Sequence, residues 1–91
     1  MPSGAVADLL EIRVSPGAAA DLDQIYEPVF SEVVERLALL RSFPEMGVPM
    51  PGRFVGWRCT TVRMFRVIYR ITRRGIEVAY VRHCKRRPVK S

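Results

Sequence analysis

Cysteine is scarce in this sequence: Cys59 and Cys84 are the only two among 91 residues. Two thiols cannot staple a disulfide-dense secreted fold or supply a four-cysteine zinc site, so neither a metal nor any other cofactor is expected. Histidine and tryptophan occur once each, as His83 and Trp57. No apolar run approaches the roughly 20 residues that a membrane-spanning helix needs. The start, Met1-Pro2-Ser3-Gly4, lacks the basic-then-apolar order of a secretory signal. Repeats, low-complexity tracts and linker-like stretches are missing too. These absences lead to an expectation of one cytoplasmic domain over residues 1–91, with reduced thiols and no membrane partner.

A second scarcity is local. Residues 46–91 contain a single acid, Glu77, against twelve basic residues, whereas residues 1–45 hold eight acids and three arginines. The overall net charge of +6 therefore divides into about −5 and +11. Thirteen of the fifteen cations are arginine, whose planar fork pairs bidentately with phosphate or carboxylate and stacks on bases. Solubility does not require such one-sided placement. An anionic partner does, either nucleic acid or an acidic protein segment.

Hydrophobic spacing assigns the elements. Leu10, Ile12 and Val14 alternate along a short strand that stops at Ser15-Pro16, a helix cap followed by a proline suited to the first helical position. Ala18, Leu22, Ile25, Val29, Val33, Leu37 and Leu40 then recur every three or four residues, the apolar stripe of a core-facing helical layer. Pro28 cannot continue a helix, which predicts a kink or two short helices meeting near Glu27-Pro28. Phe43-Pro44 ends the layer, and residues 44–56, rich in proline and glycine, read as a connecting loop. The last third alternates with period two: Trp57 to Val62, then Phe65, Val67, Tyr69 and Ile71 on one face, then Ile76, Val78 and Tyr80. Turns are predicted near Arg63-Met64 and at Arg73-Arg74-Gly75. Tyr69 and Tyr80 both read as core, and the two cysteines as lying on non-neighbouring strands. The fold class is α+β, with short helices packed on a twisted antiparallel sheet of about four strands.

Several of these residues occur in a familiar order. Ser15-Pro16, Ala20-Asp21-Leu22-x-x-Ile25-Tyr26, Leu40-x-x-Phe43-Pro44-x-x-Gly47, Gly56-x-Arg58, Phe65-Arg66-Val67-Ile68-Tyr69-Arg70-Ile71 and Val81-x-His83-x-x-Arg86 together resemble the RelE/ParE superfamily of bacterial toxins, from about residue 10 to 88. The resemblance implies the toxin half of a type II toxin–antitoxin pair, of the plasmid-stabilisation kind, neutralised by a cognate antitoxin. It also implies one of two activities. RelE-like members are endoribonucleases that cleave mRNA on the ribosome, and ParE-like members inhibit DNA gyrase without chemistry. A toxin-like fold kept only as a regulatory binding unit is a third reading. The helical section is shorter than the family's usual hairpin, and no tyrosine follows His83.

RNA cleavage through a ribose 2′-hydroxyl needs proton-transfer groups and cations around the phosphorane. Under the RelE-like reading, Arg58, Arg66, His83 and Arg86 form the catalytic set. Arg66 matches the family position in the RNA-binding concavity, while Arg58 and Arg86 are expected to converge on the same sheet face. His83, with an ordinary pKa of about 6.5, would move the proton. Arg70, Arg82, Lys85 and Arg87 would hold backbone phosphates.

Overall fold

The computed structural model describes residues 10–84. Strand β1 (Glu11–Val14) ends where Ser15 turns the chain into helix α1 (Pro16–Asp23). Ser15 sits in extended backbone, its Oγ accepts the Ala18 N–H at 3.0 Å, and Pro16 occupies the first turn, where no donor is needed. Pro28 separates α1 from helix α2 (Val29–Ser42), so the layer consists of two helices, as its position predicts. Phe43 closes α2 before Pro44.

Five strands form one sheet in the order β1-β5-β4-β3-β2. Strands β3 (Arg58–Val62), β4 (Phe65–Thr72) and β5 (Gly75–His83) make an antiparallel meander through the two predicted turns. The helices cover one face of the sheet, giving an α+β architecture. Two details go beyond the sequence reading. Strand β2 (Val48–Pro49) is a two-residue addition from within the proline-rich loop. Strand β1 lies parallel to β5, which makes the sheet mixed. The two cysteines are separated by β4, Cys59 on β3 and Cys84 just past β5.

The core joins Ala18, Ile25, Val33, Leu37 and Leu40 of the helical layer to Val62, Val67, Tyr69, Ile76, Val78 and Val81 of the sheet, with Leu22 and Val29 packed against it. The helical stripe is therefore the predicted one. The assignment in β5 is corrected at one position. Ile68 pairs with Tyr80 but Tyr69 pairs with Val78, leaving Ala79 as an extra residue in a β-bulge. Beyond it the alternation inverts, so Val81 is buried at 3% exposure while Tyr80 stands outside the core at 44%.

Where β1 ends, α1 takes over as the neighbour of β5. Ser15 N–H donates to the Val78 carbonyl at 3.0 Å and Ser15 Oγ to the Ala79 carbonyl at 2.8 Å. The Asp21 carboxylate accepts the Val81 N–H at 2.9 Å. At the other end of the pairing, Gly75 has φ +140° and faces the Glu11 backbone so closely that any Cβ would overlap the Glu11 carbonyl oxygen. Gly75→Ala is therefore expected to lower the urea midpoint by an amount equivalent to about 1–3 kcal/mol or more, because strain and the displaced β1 ladder add. Urea titration followed by circular dichroism checks this, with Gly52→Ala, at a positive φ but in open space, as the milder comparison.

Candidate functional site

Strand pairing divides the predicted site residues between two faces. Thr61 of β3, Arg66 of β4 and Arg82 of β5 lie in one cross-strand row on the face away from the helices. Arg70 and Glu77 form a second row on that face, joined by an ion pair at 2.6 Å. Cys59, Ile68 and Tyr80 form the row between them. The open face thus gathers Arg66, Arg70 and Arg82 among Trp57, Ile68 and Tyr80. Arg70 lies 4.7 Å from the Trp57 ring centroid and Arg82 lies 4.3 Å from that of Tyr80, both in cation–π contact.

Arg66 and Arg82 are direct cross-strand partners. Like charges in that position repel and weaken a sheet. Arg82 is partly offset by Asp21, 3.7 Å away. The arrangement favours any anion that bridges the pair.

Arg58 and His83 lie on the other side. Arg58 alternates with buried Thr60 and Val62, so its guanidinium reaches beneath the sheet end rather than converging on Arg66. There it donates to the carbonyls of Glu45 at 3.2 Å and Gly47 at 2.8 Å. Its cross-strand partner Tyr69 completes the clasp: the phenol donates to the Pro44 carbonyl at 2.7 Å and accepts the Gly47 N–H at 2.9 Å. Burial pushes the Tyr69 phenol above its ordinary pKa of 10.0, against the lowering effects of the Gly47 N–H and the Arg58 charge. His83 pairs with Phe65 across β4 and β5, ring edge to face, centroids 5.0 Å apart. It lines a hollow at the sheet margin with Asp21 and Gln24 of the α1 region and with Arg82, whose side chain reaches Asp21 there. Arg86, Lys85 and Arg87 lie outside the described residues.

The open face carries further titratable groups. Burial raises the Cys59 thiol above its ordinary 9.0, outweighing the Arg66 charge, which lowers it, so it stays protonated at neutral pH. Glu77 is held by Arg70. Elsewhere, a bidentate pair with Arg63 at 2.6 and 2.7 Å holds the Glu32 carboxyl below its ordinary value. That pair secures the β3–β4 turn, where Arg63 itself takes a φ of 56°. Among the described residues no group of three or more metal-ligating side chains occurs, and no helix is long and apolar enough to cross a membrane. Sequence reasoning put Tyr80 in the core and left Glu77, opposite Ile76 and Val78, without a role in the site. The lone acid of the basic half was a visible signal for Glu77, whereas the bulge that exposes Tyr80 leaves no local one.

Three outcomes follow from these groups. Tyr69→Phe keeps the packing but leaves the buried Gly47 N–H without its acceptor, and is expected to destabilise by roughly 1–3 kcal/mol in urea titration. Because the folded phenol binds its proton more tightly than the unfolded one, its contribution is complete below pH 10.0 and is lost as pH rises further. The variant should therefore lose less stability than the parent between neutral and strongly alkaline pH. Cys59 should react slowly with iodoacetamide at neutral pH and faster above pH 9.0, measured by mass spectrometry of the Cys59 peptide.

Comparison with known proteins places this geometry in context. The fold matches the toxin–antitoxin complex RelBE2 from Mycobacterium tuberculosis with a TM-score of 0.74 and 24% identity, covering 82% of this chain and 98% of that one. It matches the chromosomal ParDE system from P. aeruginosa with a TM-score of 0.71 and 21% identity, covering 86% and 99%. A third match, the YoeB-YefM complex from Staphylococcus aureus, has a TM-score of 0.67 and 18% identity, covering 81% and 95%. No curated protein matches the chain by sequence. One family model does, described as the ParE toxin of the type II toxin–antitoxin system parDE, over residues 12–88. With nearly the whole chain matched, from the second residue of β1 to beyond β5, this protein belongs to the ParE toxin family of type II toxin–antitoxin systems.

Proposed function

We propose that this toxin arrests growth by gripping its target without covalent chemistry, in the ParE-like manner, with DNA gyrase as the target and a cognate antitoxin as its neutraliser. The observation that carries this reading is the division of the site between two faces. The cations Arg66 and Arg70 stand on the open face, with Arg82 at its margin, while His83 alternates to the helix-covered side against Phe65. An anion held at Arg66 would therefore lie across the sheet from the histidine that cleavage would use for proton transfer. Binding alone needs only the cationic face.

RelE-like cleavage of mRNA on the ribosome is the second reading, favoured by the arginines interleaved with Trp57 and Tyr80. Arginine beside accessible aromatic rings, here exposed Tyr80 and half-buried Trp57, is the pattern that holds single-stranded RNA. In either case the antitoxin is expected to lay an acidic segment over the cationic face, since the toxins of similar fold come from complexes with antitoxins.

Purified gyrase and translating ribosomes separate the two. Blocked supercoiling with intact transcripts by primer extension is the expected result, and cleavage within codons with supercoiling untouched would overturn the proposal. Arg66→Ala should weaken growth arrest while melting at the same or a higher temperature, because it relieves the repulsion with Arg82. Antitoxin affinity should fall as salt rises from 0.05 to about 0.5 M, measured by titration calorimetry.

A further inference from the structure

A cleft of about 280 Å³ opens between Trp57 and Tyr80, beside Glu77 and over Ala79. Its form follows from the bulge. The extra residue of β5 is alanine, and this small side chain leaves a hollow next to the exposed Tyr80 ring. Both aromatic walls already carry a guanidinium, Arg70 on Trp57 and Arg82 on Tyr80. A cationic ligand would be repelled there, although two rings and a carboxylate alone would attract one. The surroundings select a flat π-system that brings negative charge of its own, which is the description of a nucleotide.

Glu77 narrows the choice of base. Its Oε1 accepts from Arg70 Nε at 2.6 Å, and the side chain remains 40% exposed, so a carboxylate with two oxygens and about four lone-pair sites keeps acceptor capacity. Guanine presents two adjacent N–H donors, N1 and N2, which match a carboxylate's two oxygens. Adenine and cytosine place an acceptor nitrogen beside their amino group, and uracil has one N–H between two carbonyls. Each of these sets a lone pair against the carboxylate.

We propose that this cleft is a guanine-nucleotide subsite, with the base between Trp57 and Tyr80, its N1–H and N2–H donated to Glu77, and its phosphate on Arg66 or Arg82. The subsite goes beyond the proposed target and stands whether or not gyrase is inhibited. The base could belong to a free nucleotide or to a single strand.

Trp57 is the only tryptophan, so its fluorescence reports the cleft directly. Titration with GMP should quench it saturably, with AMP, CMP and UMP weaker by roughly tenfold or more. Glu77→Gln should bring GMP down to the level of AMP, and Tyr80→Leu, at an exposed position, should weaken all four, with circular dichroism showing both variants folded. Octanucleotides with and without one guanine locate the source: tighter binding of the guanine-containing strand than of GMP identifies a strand, and tighter GMP a free nucleotide. Absence of saturable quenching, equal quenching by all four nucleotides, or the same quenching by inorganic phosphate would overturn the proposal.

Discussion

Val78 and Val81 are both buried in the core, yet they are three residues apart on one strand. A regular strand cannot do this, because its side chains alternate with a period of two. The bulge at Ala79 absorbs the extra residue, and the orientation of everything downstream in β5 depends on it. Without it, Val81 would face solvent, Arg82 would be driven under the helices, and the row Thr61–Arg66–Arg82 would not exist. Burial of two valines thus decides the electrostatics of the opposite face. The transfer of a valine side chain from water, about 1.5–3 kcal/mol, is ample to fix that register.

The open face is consequently an assembly of groups whose charges the core does not neutralise. Arg70 has Glu77 and Arg82 has a longer contact to Asp21, but the Arg66–Arg82 row sets two cations opposite each other. Guanidinium groups suit such crowding better than ammonium groups, because they are weakly hydrated and lie flat on aromatic rings, as Arg70 and Arg82 do. The inner face uses the same residue type differently. Arg58 and Arg36 serve as internal donors, Arg58 to loop carbonyls and Arg36 to Thr60 Oγ1 at 2.6 Å and the Thr61 carbonyl at 3.0 Å. Arginine content alone therefore overstates the binding surface.

Local steric signals were legible in the sequence. Ser15-Pro16, Pro28, Phe43-Pro44 and Gly75 each restrict backbone dihedrals where they stand, and each marks a real boundary. The apolar contrast of Phe65-Arg66-Val67 likewise assigned Arg66 and Arg70 to the outer face. Strand β3 offered no such contrast: Arg58, Thr60 and Val62 on one side face Cys59 and Thr61 on the other, so polarity could not show which side the helices cover. The parallel seating of β1 on β5 and the two-residue β2 depend on chain segments distant in sequence. Tyr80 was misplaced for the same reason, since a bulge is specified by the packing on both sides of it.

The substitution of α1 for β1 along β5 affects how other chains can meet this one. Strand edges invite further strands because their amides and carbonyls are unpaired. Here the Asp21 carboxylate and the Ser15 hydroxyl already occupy the Val81 amide and the Ala79 carbonyl. At the far margin of the sheet, β2 is two residues long and one of them is proline. Zippering of backbone onto backbone is thereby discouraged at both places, which leaves selectivity there to side-chain chemistry.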